Sequence, residues 1–189
     1  MGAAISAPRL MRARINDRLA QAARLPVTLI VAPAGFGKSV ALRDFIETSR
    51  LEAVRYDVPR EDTTMLAFVR GLSEALKPVA PSAFAAFGTM QQRVLAADEP
   101  VRQLVEWFAE HLKRTVCTIV IDDLHHAAAD ENTIALLSNL IDRTTGRIKW
   151  IIAARGTRCG ITPSSARARS WSAATNSSTL WSSTGARRT

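Results

Sequence analysis

The sequence predicts an α/β protein built on a parallel sheet, and three observations carry that prediction. Residues 27–31 and 118–121 are short runs, apolar except for Thr28 and Thr118 and rich in β-branched side chains, the pattern of strands buried on both faces. Between and after them apolar residues recur at helical spacing, so strands alternate with helices able to cover both faces of a sheet. The chain has 189 residues, enough for one domain with a sizeable core.

The elements follow in order. Met11, Ile15, Leu19 and Ala22 lie on one helical stripe, with Arg12, Arg14, Asp17 and Arg18 elsewhere on the wheel, so residues 1–25 read as an amphipathic helical segment. Pro26 ends that pattern and the strand 27–31 begins. Leu42, Phe45 and Ile46 then mark a helix, and Ala53, Val54, Tyr56 and Val58 a second strand. Two core-facing helices are predicted next. One carries Met65, Phe68, Val69, Leu72 and Leu76; the other carries Val101, Leu104, Val105, Phe108 and Leu112, opened by Asp98-Glu99-Pro100 as cap and first-turn proline. After the strand 118–121 comes a helix with Ile134, Leu137, Leu140 and Ile141, and then a strand over 148–154 that ends in Arg155. Residues 26–156 therefore form the domain.

Charge is distributed unevenly. The formal net charge is +8, yet Arg158, Arg167, Arg169, Arg187 and Arg188 all follow Gly156, where no acid occurs, so the body of the chain keeps only a small excess. Residues 157–189 are Ser, Thr, Ala and Arg with two isolated tryptophans, Trp171 and Trp181, and no apolar period. Such a tail is expected to stay disordered as a basic arm, or to be the product of a shifted reading frame. Arginine outnumbers lysine 21 to 4, the signature of GC-rich coding that keeps alternative frames open. No apolar run reaches the length of a membrane span, and the two cysteines, Cys117 and Cys159, do not make a disulfide framework. A protein of the cytoplasm, without membrane contact, is expected.

The chemistry concentrates at two places. Ala32-Pro33-Ala34-Gly35-Phe36-Gly37-Lys38-Ser39 lies between a predicted strand and a predicted helix, the context of a phosphate-binding loop. Glycines let backbone N–H groups turn inward around a phosphate; Lys38 can reach the β- and γ-phosphates, and Ser39 can give an oxygen to Mg²⁺. Ala32 stands where the strict pattern has glycine and is small enough to start the turn. The second place is the end of the strand 118–121, where Asp122 can turn toward phosphate-bound Mg²⁺ and Asp123 toward an attacking water, the Walker B arrangement of a P-loop NTPase. Arg155, at the carboxyl end of its strand, points to the crevice where α/β sheets bind ligands. His125 and His126 read as helix-start or loop histidines without a ligand role, because no ligand cluster accompanies them, with a contact to the Asp122-Asp123 pair as the alternative.

These residues resemble a known family. Residues 28–39, with the Arg-Leu-rich helix before them, resemble the N-terminal ATPase module of the large MalT-type LuxR regulators, a branch of the STAND signal-transduction NTPases. Residues 119–125 resemble their Walker B segment and residues 151–155 the strand bearing their sensor arginine, so the likeness covers about residues 8–156. It implies a RecA/AAA-like core that binds ATP and Mg²⁺, with Lys38 and Ser39 on phosphate and Mg²⁺, Asp122 on Mg²⁺, Asp123 on the water and Arg155 on the γ-phosphate. In such regulators ATP drives self-association, later helical repeats sense an inducer, and a helix-turn-helix binds DNA. The expectation is an incomplete regulatory module without those later parts, lacking the last strand of its sheet and therefore slow in hydrolysis, with no specific DNA binding. A free-standing small P-loop ATPase or kinase is the alternative, although only Arg143 and Arg147 lie between Asp123 and Ile148 where a kinase lid would need an arginine cluster. A nucleic-acid-binding protein that uses its tail is a third reading, short of interleaved aromatics.

Overall fold

Central strands buried on both faces set the architecture. The computed structural model describes residues 13–61, 64–155, 161, 169–173 and 181–185. Helix α1 (Ala13–Ala22) leads into strand β1 (Val27–Val31), and helix α2 (Lys38–Ser49) follows the glycine loop. Strand β2 (Ala53–Asp57) precedes α3 (Met65–Ala75), α4 (Pro81–Leu95) and α5 (Pro100–His111). Strand β3 (Cys117–Asp122), a single 3₁₀ turn (Leu124–His126), α6 (Glu131–Thr144) and β4 (Ile148–Ala154) complete the body. Two further strands, β5 (Arg169–Ala173) and β6 (Trp181–Gly185), lie in the tail.

The sheet order is β2-β3-β4-β1-β5-β6, parallel throughout except for the antiparallel β5–β6 pair. Alternate residues of one strand face opposite layers. Val27, Leu29, Ile119, Ile121, Trp150 and Ile152 join the larger core, which α3, α4, α5 and α6 cover. Ile30, Val120, Ile151 and Ala153 join the smaller one, closed by Leu42 and Phe45 of α2 with Leu19 of α1 against it. The α/β P-loop NTPase-like fold expected from the buried strands is the fold observed.

Buried polar groups are tied off where the layers meet. The Thr28 hydroxyl donates to the Ala22 carbonyl at 2.8 Å, fixing α1 to β1. The Trp150 indole donates to the Thr144 hydroxyl at 3.0 Å, and that hydroxyl donates to the Leu140 carbonyl at 2.8 Å. Left unmade inside the core, each such bond would cost about 1–3 kcal/mol.

Three features differ from the sequence reading. Helix α4 was not foreseen, because alanine and Gly88 dilute the stripe of Ala83, Met90 and Val94 that it buries. Asp98 does not cap α5: Glu99 holds the cap position without a side-chain cap bond, and its carboxylate instead takes Arg102 Nε at 2.5 Å. The sheet also does not stop at β1. Strand β5 pairs with β1 from Thr28↔Arg169 to Val31↔Ser172, and Ile161 is buried in the larger core. Strand pairing is a backbone interaction along the free edge of β1, so a Ser- and Thr-rich segment can supply it without an apolar period. The remaining tail positions, Cys159 among them, lie outside the described residues, as do residues 1–12. Among the described residues no helix is long and apolar enough to cross a membrane.

Candidate functional site

The carboxyl ends of β1, β3 and β4 bring the sequence-predicted residues to one edge of the sheet. Because β4 lies between β1 and β3, Arg155 stands between the glycine loop and the Asp122-Asp123 pair. The loop leaves β1 at Ala32, which is buried and whose N–H donates to the Ala154 carbonyl at 3.4 Å. Pro33 and Ala34 carry the chain outward to Gly35, Phe36 and Gly37. Gly35 and Gly37 have φ of 81° and 69°, in the left-handed region that glycine enters without strain. A Cβ on Gly35 would meet nothing within 4 Å, so backbone conformation, not space, requires glycine there. Gly37 occupies the cap position of α2, so the first turn of that helix aims its N–H groups and partial positive charge at the loop.

Lys38 is the first residue of α2 and only 6% exposed. Its ammonium donates to the Ala32 carbonyl at 2.7 Å and the Pro33 carbonyl at 3.1 Å, folding the side chain back over its own loop. Burial, and then the Arg155 charge, push its pKa below the ordinary lysine value, while Asp123 and Asp122 act in the opposite direction. Lysine, arginine and both aspartates therefore share one electrostatic environment.

Asp122 ends β3, 1% exposed, with its neighbours built around it. The Ser39 hydroxyl is near enough to its carboxylate to favour the ionised form, so the two residues expected to hold Mg²⁺ are neighbours. The Asp123 N–H donates to Oδ1 at 2.9 Å, and Arg55 Nη2 donates to Oδ2 at 3.0 Å. Burial raises the Asp122 pKa most, the charge of Asp123 adds to the rise, and Ser39, Arg55 and the Asp123 N–H oppose it. An oxygen-only pair of hydroxyl and carboxylate suits a hard cation such as Mg²⁺. Among the described residues no cluster of three or more His, Cys, Asp or Glu could hold a metal by itself, so an ion here would complete its shell with phosphate and water oxygens, as Mg²⁺ does in nucleotide sites.

Asp123 has φ of 55°, one of two non-glycine residues in the left-handed region among those described. That turn directs the chain into the 3₁₀ segment and brings three side chains together. The Asp123 Oδ1 lies 3.8 Å from Arg155 Nε and 3.6 Å from His125 Nδ1. The latter is too long for a hydrogen bond, and His125 Nδ1 is buried with no hydrogen-bond partner. Burial, followed by His126 and Arg155, lowers the His125 pKa, with Asp123 opposing. His126 turns away, its Nδ1 3.0 Å from the Val58 carbonyl.

One member of this site was not foreseen, and another was open only as an alternative. His125 reads first as a loop histidine, and the 3₁₀ turn decides for the alternative by placing it against Asp123. Arg55 sits among the apolar residues of β2, and its signal was visible as a charge in a predicted strand. Which strand it faces depends on β2 pairing with β3 in a register that sets Asp57 beside Asp122.

Residues 23–156 match the sequence model of a family described as AAA domain. No curated protein sequence matches the chain. Among solved structures, one of Drosophila ORC bound to AT-rich DNA and Cdc6 is similar, with a TM-score of 0.50 and 10% identity over 77% of this chain and 46% of that one. The Walker-type ATPase PABY2304 of Pyrococcus abyssi gives a TM-score of 0.46 and 16% identity over 76% of this chain and 44% of that one. The chain thus spans less than half the length of either.

Proposed function

The chain belongs to the AAA domain family, and from that premise we propose that it is the ATP-binding NTPase module of a LuxR/MalT-type regulator, one that hydrolyses ATP slowly or not at all. The observation that carries the nucleotide reading is the convergence of Lys38, the Ser39–Asp122 pair and the Asp123–Arg155 pair at the ends of β1, β3 and β4. Backbone N–H groups of the loop and the start of α2 would hold the phosphates, with Lys38 exchanging a loop carbonyl for a phosphate oxygen. Ser39 and Asp122 would hold Mg²⁺, which when bound neutralises charge on the β- and γ-phosphates. Arg155 stands where it could meet a γ-phosphate.

Slow turnover is argued from Asp123. A carboxylate that accepts a proton from water needs a lone pair free toward that water, and an arginine beside it holds it as an ion pair. With Arg155 Nε at 3.8 Å, Asp123 is better placed to register the nucleotide than to turn it over rapidly. The cause expected from sequence, a missing last strand, is replaced by this one, because β5 lies beside β1. The regulatory reading rests on the sequence likeness of the loop, the Asp-Asp segment and the Arg155 strand to LuxR/MalT-type modules, in which ATP drives self-association.

The test is ATP turnover by the full chain beside Asp123→Asn. The proposal expects wild-type turnover below about 1 per second, with ATP binding little changed in the variant. Turnover well above that rate, abolished by Asp123→Asn, would replace the regulatory reading with a free-standing ATPase.

A further inference from the structure

Asp122 is held from outside the nucleotide loop by a residue that neither sequence motif contains. Arg55 lies on β2, and its guanidinium bridges two carboxylates: Nη2 donates to Asp122 Oδ2 at 3.0 Å, and Nε donates to Asp57 Oδ1 at 2.7 Å. The two acids differ greatly in environment. The Asp122 side chain is 2% exposed and that of Asp57 is 62% exposed, with Arg55 at 22% between them. Register accounts for the arrangement: Arg55 and Asp57 are two apart on β2, so they share a face, and Asp57 pairs with Asp122 across the parallel ladder.

We propose that Arg55 is a positioning residue that sets how strongly nucleotide binding depends on the divalent cation, by sharing the Asp122 carboxylate with that cation. This rests on the nucleotide reading above. A guanidinium already on Asp122 supplies positive charge to the site when the ion is absent, and repels the ion when it arrives. Two effects of removing it compete: loss of repulsion strengthens the cation's hold, and loss of an anchor loosens Asp122. The first dominates, because Asp122 keeps the Asp123 N–H at 2.9 Å and nearly complete burial. Asp57 acts through Arg55. Its exposed carboxylate draws the guanidinium partly off Asp122, so removing its charge should strengthen Arg55's hold on Asp122.

The experiment titrates ATP affinity of the full chain against free Mg²⁺, from EDTA to saturation, with folding checked by circular dichroism. Arg55→Gln should lower the half-saturating Mg²⁺ by about fivefold, the scale of a like charge several ångströms away under near-aqueous screening, and weaken ATP binding in EDTA. Asp57→Asn should raise the half-saturating Mg²⁺ by about twofold. Arg55→Lys keeps the charge and should stay near wild type. A purely structural role would move Arg55→Gln and Asp57→Asn in the same direction. An unchanged or raised Mg²⁺ requirement in folded Arg55→Gln overturns the proposal; should that variant fail to fold, an unchanged or lowered requirement in Asp57→Asn does so. If wild type binds no ATP at any Mg²⁺ concentration, the nucleotide reading itself fails and the role of Arg55 with it, whereas ATP binding with the wrong Mg²⁺ response refutes Arg55 alone.

Discussion

Replacing Lys38 by alanine removes the one lysine that the fold aims into the glycine loop. Its ammonium already donates to two neutral carbonyls, Ala32 at 2.7 Å and Pro33 at 3.1 Å, so binding a phosphate is an exchange and not a simple gain. A bond to a neutral carbonyl contributes about 0.5–1.5 kcal/mol and a charge-assisted bond to an anion about 1.5–3 kcal/mol, a difference near 1 kcal/mol for one exchange. Burial and Arg155 depress the lysine pKa, which means the ammonium carries an electrostatic cost that an arriving anion relieves. Adding that relief places the loss in Lys38→Ala toward about 1.5–3 kcal/mol, a tenfold to hundredfold weaker ATP complex. Calorimetric titration of both proteins with ATP and Mg²⁺ measures it. Thermal unfolding supplies the control: alanine suits the first turn of α2, so the midpoint should move by less than about 4 °C. Equal ATP affinity in two folded proteins would refute the assignment of Lys38 to the phosphates, and with it the role given to the loop.

Three further predictions test the geometry around the site and the core. Because Asp123 sits at φ 55°, Asp123→Gly should unfold at higher denaturant than Asp123→Ala by about 0.5–1 kcal/mol, and equal stability would show that the turn is unstrained. Gly71→Ala should destabilise by about 1–2 kcal/mol although alanine favours helices by about 1 kcal/mol, since a Cβ there would stand 2.5 Å from the Tyr56 hydroxyl; a more stable variant in urea melts would show that the ring can shift. The lowered pKa of His125 means the unfolded chain binds its proton first. Stability should therefore fall as pH drops below the ordinary histidine value of 6.5, and His125→Gln should flatten that slope between pH 7.5 and 5; identical slopes would refute it.

What the sequence determined alone is local. Runs of strand formers marked β1 to β4, helical stripes marked α1, α2, α3, α5 and α6, and the run from Ala32 to Ser39 carried its own geometry, because glycine at positions 35 and 37 is what a left-handed turn requires. The Asp122-Asp123 step was equally legible at the end of an apolar strand. Helix α4 was not, its stripe being diluted by alanine and Gly88. Strand order belongs to the tertiary structure: nothing in one strand's residues states its neighbour, so the insertion of β4 between β1 and β3, which puts Arg155 beside Asp123, could not be read. The same holds for Arg55, a charge in a predicted strand until parallel pairing sets it against a buried carboxylate; for His125 the sequence left contact with the Asp pair as one of two readings, and the left-handed turn at Asp123 decided it. Strand β5 adds to the edge of β1 through backbone groups that every residue carries, and an interaction common to all residues leaves no compositional trace.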